Sequence, residues 1–212
     1  MKLAELEQRF GRRFARVTTN AVVARPRLWR VFRWLTRTQF DRLAPNWNDM
    51  RRPDAFAPLE RALEEVDGPQ RVLDLGTGTG AAAFLAARRF PQAQVVGVDL
   101  SPEMLGQARA LTPPELAGRV RFEAADASRL PFEDDSFDLV LLSNMIPFFD
   151  ELARVVAPGG HVLFGFSAGP ETPIWVPPER LREELGARGF TDFADFEAGG
   201  GTALLARLAD RS

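Results

Sequence analysis

Residues 71–80 read RVLDLGTGTG, an apolar run interrupted only by Asp74 and followed by glycines at positions 76, 78 and 80. Residues 81–87 read AAAFLAA and are strong helix formers. This order predicts a buried strand, a glycine turn and a helix whose first amides point at whatever lies over the turn. Glycine suits the turn because a side chain would obstruct both a positive φ and the close approach of a ligand. The stretch therefore predicts a nucleotide-type binding loop.

The overall composition fits one α/β domain with a modest appendage. The chain has 212 residues, no Cys, no Tyr and a single histidine, His161. The absence of Cys excludes disulfides and thiol chemistry and favours a reducing compartment. No apolar run approaches the length of a membrane span, and the N-terminus lacks the apolar core of a secretory signal. We therefore expect a cytoplasmic protein with no metal site and few candidates for a general base.

Charge is distributed unevenly along the chain. Residues 1–44 contain eleven Lys and Arg against three acidic residues, which gives a net charge of +8. The remainder carries a net charge of −10. The sequence therefore predicts a basic arm attached to an acidic domain, and we place the boundary between residues 1–54, an arm or lid, and residues 55–212.

The arm is predicted to form two helices. Apolar residues at steps of three and four predict a helix ending near Pro26; they are Leu3, Leu6, Phe10, Phe14, Val17 and Ala21. Residues 27–43 predict a second helix, with an apolar face of Leu28, Val31, Phe32 and Leu35, a basic stripe of Arg27, Arg30, Arg33 and Arg37, and Trp29 and Trp34 beside the stripe. The simplest interpretation packs the apolar face on the domain and leaves the arginines solvated.

Other partners of this second helix stay open. Arg and Trp at helical spacing also suit peripheral contact with an anionic membrane, nucleic acid or an acidic protein, of which nucleic acid is the less favoured. The apolar faces could equally be buried in a homodimer, so the sequence does not decide between a monomer and a homodimer.

Strands and helices alternate after the glycine loop. Strands are predicted at residues 93–98, 120–124, 137–143 and 161–166, and helices at residues 59–66, from 102 onward, 148–156 and 178–188. Residues 190–197 and 202–208 are joined by Gly199, Gly200 and Gly201, so these two strands must be antiparallel neighbours. The pattern predicts a mostly parallel sheet that closes with an antiparallel hairpin.

Acidic residues near strand ends bear on the choice of nucleotide. Asp99 follows the second strand where a dinucleotide fold places its ribose-binding acid, so an NAD-dependent dehydrogenase is one candidate. Asp74 at the end of the first strand could face a ligand's ammonium group. Asp126, with the Ala127 amide, could bind the edge of an adenine. Together with the closing hairpin, these two features weigh against the dehydrogenase.

Five motifs occur in an order and spacing that identify a family between about Phe40 and Leu208. They are VLDLGTGTG at 72–80, VVGVDLSPEML at 95–105, FEAADASRLPF at 122–132, FDLVLLS at 137–143 and ELARVVAPGG at 151–160. The chain resembles the class I S-adenosylmethionine-dependent methyltransferases, particularly the small-molecule domains labelled type 11. The resemblance implies a Rossmann-like three-layer α/β sandwich whose seven-stranded, mostly parallel sheet has the order 3-2-1-4-5-7-6 and an antiparallel last strand. It also implies S-adenosyl-L-methionine as cofactor, S-adenosyl-L-homocysteine as product and a small-molecule methyl acceptor.

The resemblance also implies roles for individual residues. The loop residues that would hold the methionine portion are Gly76, Thr77, Gly78 and Gly80. Asp99 would accept hydrogen bonds from the ribose hydroxyls, and Leu100 and Met104 would pack on the adenine. Asp126 would take the adenine amino group, and Ser143 would close the methionine end through its backbone. The alternative interpretation is strand-end capping for Asp74, Asp99 and Asp126, and ordinary core packing for Leu100 and Met104.

Few residues stand out as acceptor contacts. Methyl transfer from a sulfonium mainly requires alignment and exclusion of water, so a base is not obligatory. Asn144 follows the fourth strand, and Trp47 lies where relatives carry a Tyr-Asp pair, so both are candidates for the substrate pocket; no catalytic residue is assigned. His161 lies at the opening end of its strand, away from the ligand edge.

The sequence therefore predicts a methyltransferase acting on a small apolar or aromatic metabolite by in-line transfer. A second hypothesis is a cofactor-binding module whose catalysis has lapsed and whose basic arm docks on a membrane or partner. RNA methylation is a further candidate.

Overall fold

One seven-stranded sheet with the order β3-β2-β1-β4-β5-β7-β6 forms the centre of the protein. The structure is a computed structural model that describes the backbone of residues 3–210 and the side chains of residues 11–210. The first five strands are parallel, and β7 is antiparallel to both β5 and β6. The strands are Arg71–Leu75 (β1), Gln94–Asp99 (β2), Val120–Ala124 (β3), Phe137–Ser143 (β4), Val156–Phe166 (β5), Phe190–Ala198 (β6) and Gly201–Leu208 (β7). The predicted strand order and antiparallel hairpin are confirmed.

The fifth strand is longer than predicted. Its first residue, Val156, pairs with Phe137, and regular pairing resumes where His161 meets Leu139. The residues between form an irregularity in the strand, in which Gly159 has a φ of +76°. Residues 157–160, APGG, therefore form a bulge within β5. The sequence predicts a turn at these residues, with the strand beginning only at His161.

Helices cover both faces of the sheet. They are Leu3–Ala24 (α1), Trp29–Leu43 (α2), Ala57–Leu63 (α3), Ala81–Arg89 (α4), Pro102–Ala110 (α5), Phe149–Val155 (α6) and Pro178–Gly186 (α7). One buried apolar cluster joins α3, α4 and α5 to the sheet, and a second joins α6, α7 and two arm residues, Val22 and Trp29. Successive residues of β1 and β4 point into alternate clusters, which explains why these strands are almost wholly apolar. The predicted three-layer sandwich is confirmed.

The orientation of α2 differs from the prediction. The helix turns Trp29, Phe32 and Phe40 toward the domain, while Val31 and Leu35, expected to pack inward, are exposed. Trp29 fixes this rotation because its side chain is buried and its indole nitrogen donates a hydrogen bond to the domain. The arm packs into the same apolar core as the rest of the chain. The predicted domain boundary at residue 54 stays a prediction.

The first helix ends at Ala24, just before Pro26, as predicted. Its predicted apolar positions Leu3, Leu6 and Phe10 lie outside the described side chains. Arg12 donates to the Glu171 carbonyl at 2.7 Å, and Arg16 donates to the carbonyls of Pro170 and Thr172 at 2.7 and 2.8 Å. The arm is thereby bonded to the segment between β5 and α7. Of the helices within residues 3–210, none combines the length and apolarity needed to cross a bilayer.

Candidate functional site

The glycine loop between β1 and α4 is held on the neighbouring strand. The amides of Gly76 and Thr77 both donate to the Val98 carbonyl at 2.9 Å. Gly76 has a φ of +74°, and a Cβ added there would lie 2.6 Å from the sulfur of Met145. The backbone conformation therefore favours glycine at position 76, and a larger residue would also have to displace the Met145 side chain.

Asp74 lies beneath the loop and is fully buried. The Thr77 hydroxyl donates to its Oδ2 at 2.6 Å, while Oδ1 has no hydrogen-bond partner among the described residues. Burial raises the pKa of Asp74 to about 6, and the bond from Thr77 opposes this shift. Asp74 is not among the residues that line the cavity described below. In this structure Asp74 therefore supports the glycine loop from below, through its hydrogen bond with Thr77.

Asp99 connects the loop to the start of α5. Its Oδ2 accepts from the Gly78 amide and its Oδ1 from the Ser101 amide, both at 2.9 Å. Burial raises the pKa of Asp99, the amide bonds lower it, and the nearby Asp41 carboxylate raises it further. The Ser101 hydroxyl donates to Asp41 at 2.6 Å and accepts from the Met104 amide as the helix cap. Asp99 therefore sits half-buried at the cavity edge with its orientation fixed.

A cavity lies between this edge of the sheet and the inner face of α2. About 80 Å³ of it admits the centre of a water-sized group, within about 740 Å³ of space that includes open solvent at its mouth. Among the described residues that line it, the only ionisable ones are Arg37 and Asp99. Among the side chains of residues 11–210, no group of three His, Asp or Glu could hold a metal ion. The lining is Trp29, Thr36, Arg37, Phe40, Trp47, Leu75, Gly76, Gly78, Val98, Asp99, Leu100, Ser101, Met104, Ala125, Ala127, Ser143, Asn144, Met145, Ile146 and Ile174.

The Asp126 carboxylate is hydrogen-bonded to α2 of the arm and to Ser128 in the turn that follows it. Oδ1 accepts from the Trp29 indole nitrogen at 2.7 Å and from the amide and hydroxyl of Ser128 at 2.9 and 2.8 Å. Arg33 lies 3.5 Å from Oδ2. Ala127 lines the cavity, whereas Asp126 does not. In this structure Asp126 fastens α2 over the site.

Asn144 joins the ends of β4 and β5. Its Oδ1 accepts from the Ser167 amide and its Nδ2 donates to the Ser167 hydroxyl, both at 3.0 Å. Its φ is +51°, a conformation that asparagine tolerates better than most residues. Asn144 lines the cavity beside Ser143, but both polar groups of its side chain are already paired.

Trp47 lies over the glycine loop. Its indole nitrogen is 3.4 Å from the position that a Cβ of Gly78 would occupy. The ring packs edge-on against Phe40, with centroids 5.5 Å apart. Trp47 therefore forms part of a wall, while the neighbouring Asn48 accepts from the Thr79 hydroxyl at 2.7 Å.

Several lining residues were missed at the sequence level: Thr36, Arg37, Phe40, Met145, Ile146 and Ile174. Met145 and Ile146 follow the carboxyl end of β4. Ligands of open α/β sheets bind at the carboxyl ends of the strands, so these two residues could have been predicted. The residues of α2 could have been found only with the correct helix rotation, and Ile174 carries no local signal. His161, by contrast, lies beside Arg207 on β7, and burial lowers its pKa.

Comparison with known proteins supports the same family. The family model described as a methyltransferase domain matches residues 72–160. A malonyl-[acyl-carrier protein] O-methyltransferase from Halorhodospira halophila is 39% identical over 146 residues, which cover 64% of this chain and 48% of that protein. A demethylmenaquinone methyltransferase from Thermus thermophilus is 39% identical over 140 residues, covering 58% and 62%. The chain thus spans from about half to somewhat under two thirds of these relatives.

Solved structures share the fold at lower identity. A SAM-dependent methyltransferase from Aquifex aeolicus matches with a TM-score of 0.64 and 18% identity, covering 78% of this chain and 98% of that one. The phosphoethanolamine N-methyltransferase 2 of Haemonchus contortus, in complex with S-adenosyl-L-methionine, gives a TM-score of 0.59 and 22% identity, covering 74% and 52%. Given this sheet order, a glycine loop bonded to Asp99 and the match over residues 72–160, this part of the chain is a methyltransferase domain of the class I S-adenosylmethionine-dependent type.

Proposed function

We propose that this protein transfers a methyl group from S-adenosyl-L-methionine to a small apolar or aromatic metabolite. The observation that carries the proposal is the composition of the cavity. One side is a glycine loop with a fixed carboxylate, Asp99, and the other is an apolar and aromatic wall that includes Phe40, Trp47 and Met145. The cavity therefore combines a polar side that suits a nucleoside-like cofactor with an apolar side that suits an acceptor.

The residues present fit this cofactor. In the glycine loop, a Cβ at position 76 would overlap the Met145 side chain. Without a Cβ the backbone of the loop can approach a ligand closely. Asp99 is held with lone pairs free to accept from a ribose diol, and Leu100, Met104 and Ala127 offer apolar surface for a purine. The sulfonium of the bound cofactor would supply an activated methyl group. Ser143 would contribute through its backbone at the end of β4.

The chain's own contribution is alignment and exclusion of water. The aromatic pair of Phe40 and Trp47 covers the loop, and α2 closes the cavity from the other side through the Trp29 bond to Asp126. Neither Arg37 nor Asp99 is placed as a general base, since the first is cationic and the second is bonded to two amides. An acceptor that is already nucleophilic near neutral pH therefore suits this site, such as a carbon of an ionised phenolic ring. The new bond to carbon would form as the bond between methyl and sulfur breaks, S-adenosyl-L-homocysteine would leave, and the ring proton would pass to water.

The names of the relatives agree with an apolar acceptor. Demethylmenaquinone methyltransferases of several bacteria are 33–42% identical to parts of this chain. A fused aromatic ring with an apolar tail is compatible with a wall built from Phe40, Met145, Ile146 and Ile174. We therefore propose a hydroxylated aromatic ring as the acceptor class.

A second candidate function is a cofactor-binding module without turnover. It is favoured by the lack of a general base among the described residues of the cavity lining and by Asn144, whose polar groups are both bonded to Ser167. Such a module would keep the glycine loop and Asp99 while losing methyl transfer. The arm would then serve for docking alone.

Two measurements on the full chain separate these functions. Calorimetry with S-adenosyl-L-methionine measures binding, and incubation with radiolabelled cofactor and a panel of hydroxylated naphthalenes and quinols measures transfer. We expect both binding and transfer, and we expect Asp99→Ala to lose at least about tenfold in cofactor affinity. Binding without transfer to any panel member would favour the module. No measurable binding would contradict both functions.

A further inference from the structure

Three large apolar side chains are exposed together on the outer side of α2. Val31 is 67% exposed, Trp34 67% and Leu35 45%. At about 100° per residue they point away from Trp29 and Phe40, which face the domain. Arg42 lies on the same side of the helix and Arg30 at its margin, next to Trp34, and both arginines are exposed. We call these five residues the outer face of α2.

The outer face is cationic as well as apolar. Arg27, in the turn before the helix, is also exposed, and none of Arg27, Arg30 and Arg42 has an acidic partner within 4.0 Å among the described side chains. The one acidic residue of α2, Asp41, is turned inward, where it accepts from Ser101 and pairs with Arg37. Within the described part of the arm, therefore, no acidic side chain neutralises these three arginines.

The combination of charges and apolar groups indicates one class of partner. A second copy paired symmetrically through this face would bring the same positive charges against it, which is unfavourable. Nucleic acid would pair with the arginines but would gain little from the aliphatic side chains of Val31 and Leu35. An anionic lipid surface accommodates both, because arginines pair with headgroups while Trp and aliphatic side chains enter the boundary of the acyl region.

We propose that the outer face of α2 docks this protein on an anionic lipid surface. Trp34, Val31 and Leu35 enter the interface, and Arg27, Arg30 and Arg42 contact the headgroups. The acidic remainder of the chain, with its net charge of −10, is repelled by the same surface and so is held away from it.

Docking in this way would bring the cavity close to the lipid. The inner face of the same helix supplies Trp29, Thr36 and Phe40 to the cavity wall. One helix diameter, about 10 Å, therefore separates the proposed interface from the cavity. An apolar acceptor could reach the site from the lipid phase; this last step rests on the proposed methyl transfer, whereas the docking itself does not.

Sedimentation with vesicles tests the docking directly. The full chain is mixed with vesicles of phosphatidylcholine and phosphatidylglycerol or of phosphatidylcholine alone, and the bound fraction is measured. We expect preferential binding to the anionic vesicles. Trp34→Glu should weaken it at least about tenfold. The control is Leu111→Glu, which places the same charge at another exposed apolar residue (46%), after the end of α5, and should leave binding unchanged.

A second pair of variants tests the charge contribution. Arg30→Gln should weaken binding to anionic vesicles about fivefold, the effect expected for one lost headgroup contact. Arg61→Gln removes an exposed arginine from α3, on the opposite layer, and should have no effect. Raising the salt concentration should reduce the difference between the two variants.

Several results would overturn the proposal. They include equal binding to both kinds of vesicle and equal losses for Trp34→Glu and Leu111→Glu. Dimerisation that Trp34→Glu abolishes, without vesicle binding, would assign the face to a second copy. Salt-sensitive binding to duplex RNA or DNA, again without vesicle binding, would assign it to nucleic acid. Cofactor affinity and methyl transfer to the soluble panel are measured on the same preparations, so a failure of docking is distinguishable from a failure of the proposed methyl transfer.

Discussion

The two sides of the cavity differ in how they are built. The loop side consists of backbone: glycine amides bonded to Val98 and to Asp99, over a buried carboxylate. The opposite wall consists of side chains from separate segments, including Phe40 of α2, Trp47 of the following turn, Met145 after β4 and Ile174 before α7. The first side is fixed by the hydrogen bonds of two adjacent strands, whereas the second depends on packing between distant parts of the chain.

This difference has a consequence for variation. A backbone-built surface recognises whatever all members of a family share, because few substitutions are compatible with its geometry. A wall of side chains can change one residue at a time without disturbing the strands beneath it. We therefore expect substitutions on the loop side to affect folding and cofactor binding together, and substitutions on the wall to affect the acceptor alone.

Substitution in the loop should have the largest effect. We expect Gly76→Ala to lower the free energy of unfolding by about 3 kcal/mol, because alanine is strained at positive φ and its Cβ displaces Met145. Cofactor affinity should fall in the same variant. Urea unfolding and calorimetry measure the two effects.

The chain contains a matched control for this substitution. Gly106 lies inside α5, and a Cβ there would meet nothing within 4 Å. Gly106→Ala should raise the free energy of unfolding by about 0.5–1 kcal/mol through helix propensity and leave cofactor affinity unchanged. Equal effects of the two substitutions would show that the loop has no special geometric requirement.

The buried carboxylate beneath the loop should make stability depend on pH. Asp74 titrates near pH 6 in the folded protein, against about 3.9 in an unfolded chain. Between these values the folded state retains a proton that the unfolded state has lost, so stability falls as pH rises from about 4 to about 6. Asp74→Asn cannot titrate and keeps an oxygen that can accept from Thr77.

The expected result is a stability difference that grows with pH. Relative to the wild type, Asp74→Asn should gain about 2–3 kcal/mol in free energy of unfolding between pH 4 and pH 7. Chemical denaturation across that range provides the measurement. Parallel curves for the two proteins would mean that Asp74 does not carry the burial penalty inferred here.

The same division explains what could be predicted from sequence. Sheet order, the glycine loop and Asp99 were predictable because local patterns and five ordered motifs specify them. The bond between Trp29 and Asp126 joins residues 97 positions apart, and nothing in either segment indicates the other. The rotation of α2 was predicted wrongly because apolar residues occur on both of its sides, and only tertiary packing selects the side with Trp29.

Removing the bond between the arm and the domain should have an intermediate effect. Trp29→Phe retains a buried ring but removes the N–H that donates to Asp126, so we expect a loss of about 2 kcal/mol in free energy of unfolding. Trp34→Phe is the matched control, since Trp34 is exposed, and it should change stability by less than about 0.5 kcal/mol. A loss for both variants would indicate a general effect of ring size in α2.

A substitution in the wall opposite the glycine loop should have the smallest effect on cofactor affinity. Ile174 is half-buried, lines the cavity and lies in the segment to which Arg12 and Arg16 are bonded. Ile174→Ala removes apolar surface on the acceptor side but touches neither the glycine loop nor Asp99. Cofactor affinity should therefore change by less than about twofold, which corresponds to about 0.4 kcal/mol. Calorimetry measures it, with Asp99→Ala as the variant that must lose affinity under the same conditions. If Ile174→Ala lost cofactor affinity as strongly as Asp99→Ala, the two sides would not act independently, and the wall would have to be counted as part of the cofactor site.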